Sequence, residues 1–203
     1  MTTPLDALVA SVESSLTDRT LRTDRERADR IRPAMESLLR AGEPIPAWAE
    51  EPYEGGAVGN LLHADAGGRF HVLAVVFPEG TSSGVHHHGC WGVIGYLRGG
   101  DEETRYREDS AAAGPVEASR HVWHQGDVTY LLPEEGAASV AEGSGCWHRV
   151  RNPGPGTGVS VHVLCRTPAN HPHVYWDREQ GARVDFPFVE VAPDRWVAQV
   201  STT

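Results

Sequence analysis

Three consecutive histidines, His86, His87 and His88, are the residues with the clearest capacity for chemistry in this 203-residue chain. Successive side chains of an extended strand point to opposite faces, so His86 and His88 share one face and His87 points away. Two imidazoles placed in this way can chelate one metal ion, and neutral imidazole suits zinc, copper, iron and nickel. The alternative is a polar loop with solvated histidines, and a third ligand from elsewhere in the chain must decide between the two.

A second polar pair lies in the strand-like stretch Val159–Leu164, which reads VSVHVL. Its alternation places Ser160 and His162 on one face and the valines on the other. A polar stripe that faces a protein interior is costly unless it serves a site. The alternative for His162 is a core histidine that hydrogen-bonds to a backbone carbonyl.

Arg166 is the candidate anchor for an anionic group of the substrate. If the strand continues past Leu164, Arg166 faces the same interior as Ser160 and His162, and its planar guanidinium suits two-point binding of a carboxylate. If the strand ends at Cys165, Arg166 turns to solvent instead.

Composition indicates a globular chain that acts on small molecules. The formal net charge of -10 argues against nucleic acid or an anionic membrane as a partner, because phosphate binding needs a basic face. No apolar stretch approaches the ~20 residues of a membrane helix, and the N-terminus does not read as a signal peptide. Three cysteines without a C-x-x-C pair argue against a disulfide framework or a thiolate zinc site. We therefore expect a reducing cytoplasm.

The elements that must position these residues divide into helices and then strands. Apolar residues at helical spacing predict helices over Thr3–Leu16 and Asp24–Arg40. We expect residues 1–44 to form a helical segment that packs on a domain formed by residues 45–203.

From Ile45 onward, short runs rich in valine, leucine and aromatic residues alternate with turn residues. Such runs without long helices between them predict a β-sandwich or barrel rather than a parallel α/β sheet. The charged and then alanine-rich segment Asp101–Gly114 is expected to form a strand edge and an exposed loop. The predicted strands are Phe70–Phe77, Val93–Leu97, Ser119–Trp123, Val128–Leu132, Trp147–Arg151, Val159–Leu164 and Arg195–Val200.

Two glycine-punctuated blocks, residues 80–99 and 126–152, together resemble the paired motifs of the cupin superfamily. The resemblance implies an all-β cupin double-stranded β-helix, a jelly-roll barrel, which here follows an N-terminal α-helical segment. It also implies that His86 and His88 of the first block and His148 of the second bind one metal ion inside the barrel. The glutamate that usually follows H-x-H as a fourth ligand is absent here.

Within the cupins, the runs HHHGCWGVIGYLRG and HRVRNPGPGTGVSVHVL look like those of the thiol dioxygenases, which use three histidines and lack that glutamate. The resemblance covers about Asn60 to Leu164. It implies that Ser160 and His162 form a pair that assists catalysis near the metal. Two residues of the family are not matched: its tyrosine falls on Leu164, and the arginine that clamps cysteine falls on Gly59. The substrate is therefore expected to be neither cysteine nor mercaptopropionate.

The resemblance predicts a mononuclear Fe(II) dioxygenase that oxidises a small thiol to a sulfinate. Its partners would be dioxygen and a small thiol or similar bidentate ligand, with no nucleic acid and no membrane, in a monomer or homodimer. One alternative is a cupin lyase or isomerase that uses its metal as a Lewis acid. Another is a metal-binding cupin without catalysis.

Five further residues lie near the candidate ligands or repeat their spacing. Trp91 and Trp147 flank ligands and are expected to line the pocket. Cys90 could face the metal, but a buried and inert small residue is favoured. His171 and His173 form a looser pair and are expected on the surface or in a turn.

Overall fold

The described part of the chain consists of two α-helices followed by strands, loops and short 3-10 turns. A computed structural model describes residues 2–54, 56–108, 114–133, 147–185 and 187–198. Neither helix within these ranges has the length and apolar composition that a membrane crossing demands.

The helices α1 (Pro4–Thr17) and α2 (Asp24–Leu39) confirm the two predicted helices to within one residue at each end. Each begins with a capping box, in which the hydroxyl of Thr3 or Thr23 accepts from the backbone N–H three residues later. The acidic side chain at that later position accepts in return from the backbone N–H of the capping threonine.

The strands form two antiparallel sheets. In chain order they are β1 (Val58–Ala64), β2 (Phe70–Phe77), β3 (His86–His87), β4 (Gly92–Arg98), β5 (Gly100–Arg107), β6 (Val116–His124), β7 (Val128–Leu131), β8 (Trp147–Arg151), β9 (Gly158–Cys165), β10 (Val174–Asp177), β11 (Ala182–Asp185), β12 (Phe188–Ala192) and β13 (Arg195–Ala198). The larger sheet has the order β12-β13-β1-β2-β9-β4-β7, and the smaller has the order β11-β10-β3-β8-β5-β6.

Side chains from both sheets line one interior cavity, so the sheets face each other as the two halves of a jelly roll. This arrangement confirms the predicted fold class, a cupin double-stranded β-helix with an N-terminal helical segment.

The helices cover the outer face of the larger sheet. The outward valines of β2 and β9, among them Val72 and Val161, are fully buried in one apolar core with Ile31 and Met35 of α2. The helix lies so close to β4 that a Cβ on Gly95 would come within 2.7 Å of the Met35 side chain. Burial of the outer face commits the alternate residues of the same strands to the interior of the barrel.

The seven predicted strands are present, although the last of them is described only to Ala198. The prediction for Asp101–Gly114 was wrong in one part, because β5 lies between β8 and β6 inside the smaller sheet. Its charged residues do not mark an edge: Asp101, Glu103 and Arg105 are buried on one face. Arg105 and Glu103 form an ion pair there, and each charge compensates the other. From the sequence alone, charged residues of this kind are expected at the surface. Residues 109–113 of that segment lie outside the described residues.

A disulfide joins Cys90, in the loop after β3, to Cys165 at the end of β9. Their Cα atoms are 6.1 Å apart although 75 positions separate them in the chain. The expectations of unpaired cysteines and of an inert Cys90 were therefore wrong, because the fold brings two distant thiols together. Cys146 lies outside the described residues.

Candidate metal centre

The strand register brings the predicted ligands together. His86 in β3 pairs directly with His148 in β8, so their side chains leave the sheet on the same face. His88 follows two positions later and points to that face as well, whereas His87 points outward and packs on Trp147 with ring centroids 5.3 Å apart.

The three rings converge with their Nε2 atoms. His88 Nε2 lies 3.1 Å from His86 Nε2 and 3.1 Å from His148 Nε2. A metal ion about 2.0–2.1 Å from each imidazole nitrogen would hold neighbouring nitrogens about 2.9–3.4 Å apart. His86, His88 and His148 are 4%, 5% and 1% exposed. Three nitrogen donors at these distances fit one transition-metal ion.

The opposite nitrogen of each ring is held by a different partner. His86 Nδ1 lies 3.2 Å from the Gly84 carbonyl, His148 Nδ1 lies 2.7 Å from Glu103 Oε1, and His88 Nδ1 lies 2.8 Å from His171 Nε2. Partners of this kind fix the tautomer and the orientation of metal-ligating histidines. With a proton on every Nδ1, each Nε2 lone pair is free to face the ion.

Burial makes two of these rings good ligands. It lowers the pKa of His86 and of His88 well below the ordinary value, and neighbouring histidines lower both values further. Neutral imidazole, the form that binds metal, is therefore the stable state at neutral pH.

Glu103 is a functional residue that the sequence did not reveal. Burial raises the pKa of its carboxyl, but the Arg105 guanidinium and the hydrogen bond from His148 outweigh burial and hold the pKa at about 2. Its Oε2 forms an ion pair with Arg105 Nη2 at 3.0 Å and accepts a hydrogen bond from Trp123 Nε1 at 2.8 Å. The alternation of Asp101, Glu103 and Arg105 in β5 is the signal that could have pointed to an inward polar face.

A cavity of about 720 Å³ adjoins the three ligands. His162 lines it, and His162 Nε2 lies 2.8 Å from Ser160 Oγ, so the two predicted partners meet on the inner face of β9. Burial lowers the pKa of His162 to about 3, which keeps this ring neutral. Leu164 also lines the cavity, and a phenol enters it from another strand at Tyr175, which pairs with His86 in register.

The wall of the cavity carries no acidic, arginine or lysine side chain among the described residues. The chain has no lysine, and all 18 arginines lie in the described ranges, so no arginine elsewhere can supply the missing charge. Arg105 is fully buried but does not reach the wall, since its Nη2 is bound to Glu103 and to Thr129 Oγ1 at 3.0 Å.

Arg166 is not placed in the cavity. β9 ends at Cys165, and Arg166 turns into the left-handed region with φ 62° and an exposed side chain. Its carbonyl oxygen, rather than its guanidinium, faces inward and lies 2.7 Å from His71 Nδ1. Our assignment of Arg166 as the substrate anchor is therefore corrected: the chain turns before that side chain can follow Ser160 and His162.

The expectations for the neighbouring aromatic residues were reversed. His171 and His173 are buried beside the ligands rather than on the surface, and the His173 ring stacks on His88 at 4.6 Å between centroids. Neither Trp91 nor Trp147 is among the described residues that line the cavity: Trp91 joins the core under the helices, and Trp147 packs in a small outer cluster. The spacing His-x-His recurs at positions 171–173, and this repeat was the available signal.

Comparisons with solved structures find distant similarities to double-stranded β-helix and cupin proteins, each under 25% identical. An uncharacterized conserved protein with a double-stranded β-helix domain from Klebsiella pneumoniae aligns with a TM-score of 0.44 and 15% identity over 62% of this chain and 89% of that chain. A cupin domain from Bordetella pertussis aligns with a TM-score of 0.38 and 20% identity over 55% of this chain and 95% of that one. A recombinant oxalate oxidase in complex with glycolate aligns with a TM-score of 0.43 and 15% identity over 61% of this chain and 56% of that chain. No family model matches the chain.

Topology and site together define the class of protein. The chain has a cupin fold whose barrel contains a candidate metal centre of three histidines.

Proposed function

We propose that this protein is a mononuclear non-haem iron dioxygenase that oxidises a small thiol to a sulfinate. The observation that carries the proposal is the convergence of three imidazoles, with no carboxylate beside them in the ligand group of the described residues, next to a cavity large enough for a small molecule. The resemblance of residues 60–164 to the thiol dioxygenases adds the reaction class. In this reaction RSH and O₂ give RSO₂H, so both oxygen atoms enter the product.

His86, His88 and His148 would hold the Fe(II) ion, and their neutral charge leaves its positive charge uncompensated. The chemistry that the ion supplies when bound is activation of dioxygen next to a thiolate, which is an effect of proximity. A nearby positive charge also favours the thiolate over the thiol, and the thiolate is the reactive form.

Ser160 and His162 would hold and transfer a proton beside the cavity. Their hydrogen bond joins a hydroxyl oxygen to a ring nitrogen, and one proton can be held between Ser160 Oγ and His162 Nε2. His162 lies outside the group of nitrogens that converge on the metal position, so we assign it to the reaction rather than to the ligand set.

The neutral wall of the cavity favours a thiol that has no carboxylate. A buried carboxylate is costly unless a cation and hydrogen bonds compensate it. No arginine lines the cavity, and Arg166 is exposed. A small thiol with a neutral tail fits this wall better than cysteine or mercaptopropionate, because a buried ammonium would meet no carboxylate among the described wall residues.

The test is dioxygen uptake by the Fe(II)-loaded protein in an oxygen electrode, with mass spectrometry of the product. Substrates would be 2-aminoethanethiol, 2-mercaptoethanol, cysteine and 3-mercaptopropionate. We expect uptake with 2-mercaptoethanol rather than with the three charged thiols, and a product heavier by two oxygen atoms. Turnover that continues without dioxygen would replace the proposal with a lyase or isomerase, and metal binding without turnover would leave a non-catalytic cupin.

A further inference from the structure

His171 connects a metal-ligand candidate to a disulfide. Its Nε2 lies 2.8 Å from His88 Nδ1, and its Nδ1 lies 3.1 Å from the carbonyl oxygen of Cys165. The residue follows β9 by a short 3-10 turn, Pro168–Asn170, and it is 7% exposed.

These contacts admit one arrangement of protons when His88 Nε2 faces a metal ion. His88 must then carry its proton on Nδ1 and donate it to His171 Nε2. His171, which accepts at Nε2, carries its own proton on Nδ1 and donates it to the Cys165 carbonyl. A fixed carbonyl at one end of this chain therefore selects the metal-binding tautomer of His88 at the other end.

The disulfide closes this hydrogen-bonded chain into a ring. Cys165 supplies the carbonyl and is bonded through sulfur to Cys90, which is two positions after His88. The two segments also pack closely, because a Cβ on Gly89 would lie 3.1 Å from the Pro172 carbonyl oxygen.

Aromatic rings hold the His171 ring on its sides. Phe188 stacks on it with centroids 5.4 Å apart at 12°, and His71 meets it edge-on at 5.6 Å. The ring is thus fixed by packing as well as by its two hydrogen bonds.

We propose that His171 is the positioning residue for His88 and that the Cys90–Cys165 disulfide keeps it in place, so that affinity for the metal ion depends on the thiol–disulfide state. Disulfides in a reducing compartment are usually transient or redox-sensing. Cys90 is partly exposed, so a small dithiol can reach its sulfur. The dithiol gives up two electrons and two protons and becomes a cyclic disulfide, while the S–S bond breaks and Cys90 and Cys165 become thiols.

The proposal rests on the metal site of the proposed function but not on its reaction. Both tests below therefore measure metal binding by the full chain rather than oxidation of a thiol.

The first test compares His171→Phe with His171→Gln in titrations of the metal-free protein with Zn²⁺. Phenylalanine keeps the packing but cannot accept from His88, so we expect the Kd to rise about 10–100-fold, as is typical when the outer partner of a ligand is removed. Glutamine can accept from His88 and donate to the Cys165 carbonyl, and it should restore part of the affinity. His63→Gln, whose ring stacks on Phe70, is the matched control and should leave the Kd unchanged.

A readout without metal accompanies this test. Nitrogen NMR shifts of the His88 ring should report a proton on Nδ1 in the parent and a mixture of tautomers in His171→Phe. If both His171 variants keep the parent Kd and the parent tautomer, His171 does not position His88. If the parent binds no Zn²⁺ but the His88 ring carries its proton on Nδ1, the proposed metal function is wrong and the positioning role of His171 is supported.

The second test compares oxidised protein with protein reduced by dithiothreitol and freed of it. We expect the Kd for Zn²⁺ at His86, His88 and His148 to rise by about tenfold on reduction, the lower end of the range for outer partners. Reduction also frees the thiols of Cys90 and Cys165, which with His171 form a second group able to hold Zn²⁺, so the same titration of His148→Ala measures that binding separately. The double variant Cys90→Ser, Cys165→Ser should show the higher Kd whether or not it is treated, and Cys146→Ser should respond like the parent. Equal Kd values for oxidised and reduced parent would overturn the redox dependence. Reduction that raises the Kd of the double variant as well would assign the effect to another group.

Discussion

The two ends of the metal centre are held by neighbours of opposite character. His148 lies in the middle of a sheet, and its partner Glu103 belongs to the adjacent strand and is paired with the buried Arg105. His88 lies just past the end of a two-residue strand, and its partner His171 belongs to a loop. One end is a charged network on strands, and the other is a neutral hydrogen-bonded chain on loops that a disulfide closes.

The difference separates what each end does for the site. A buried ion pair is desolvated on both sides, so loss of one partner leaves an uncompensated charge and destabilises the whole domain. Loss of a neutral hydrogen bond that leaves its buried partner unsatisfied costs about 1–3 kcal/mol and acts locally. We therefore expect damage at the Glu103 end to lower the stability of the whole barrel, and damage at the His171 end to weaken metal binding with little effect on that stability.

We expect the largest effect on metal binding from the removal of a candidate ligand itself. His148→Ala removes the ligand held by the charged network and should abolish stoichiometric metal binding, whereas His87→Ala should bind one ion per chain because His87 points outward. Metal analysis after dialysis measures both. Full occupancy in His148→Ala would show that the three nitrogens are not the ligand set.

Arg105→Met should lower the free energy of unfolding by about 3–5 kcal/mol, since it strands the Glu103 carboxylate in the barrel. The matched control is Arg120→Met, which removes an exposed arginine beside Glu117 and should cost less than about 1 kcal/mol. Urea denaturation of the metal-free proteins provides both values. Equal losses would mean that the buried pair is no more important than a surface one.

Glu103→Gln tests the same network through pH. The pKa of Glu103 is about 2 in the folded protein against an ordinary 4.5, so its ionised form stabilises the fold above about pH 4.5, and that contribution disappears as the pH falls toward 2. The parent should lose more stability between pH 5 and pH 2 than the variant, in which this carboxyl no longer titrates. Urea midpoints over that range measure the difference, and parallel curves would contradict it.

His162→Gln should retain the metal and slow turnover by about 10–100-fold, the usual range for a residue that assists a metal centre without ligating the ion. Metal content and kcat on the substrate found by dioxygen uptake separate the two properties. A variant that loses its metal as completely as His148→Ala would make His162 a ligand.

We expect the smallest effect from Arg166, which belongs neither to the Glu103 network nor to the His171 hydrogen-bonded chain. Arg166→Met should leave KM unchanged, because the side chain is exposed and only its backbone carbonyl faces the site. The comparison is steady-state kinetics against the parent on the same thiol. A rise in KM by tenfold or more would show that Arg166 contacts the substrate after all.

Much of the fold and the shared face of Ser160 and His162 followed from patterns that are local in the chain. Capping boxes and helical spacing defined α1 and α2, because their hydrogen bonds join residues three or four positions apart. Alternation defined β2, β8 and β9 and assigned the face of every side chain in them, including Ser160 and His162. The assignment of His86, His88 and His148 as candidate ligands came from the resemblance of two motifs to those of the cupins.

The tertiary structure alone decided the partners that hold those ligands. Glu103 meets His148 across 45 positions and His171 meets His88 across 83, and no local pattern encodes which strands pair or where a loop returns. Arg166 left the interior because the chain turned one residue earlier than continued alternation would have it. The Cys90–Cys165 disulfide depends in the same way on two loops arriving at one place. A strand's own sequence determines which face a side chain takes, but the register between strands and the paths of loops determine what that side chain touches.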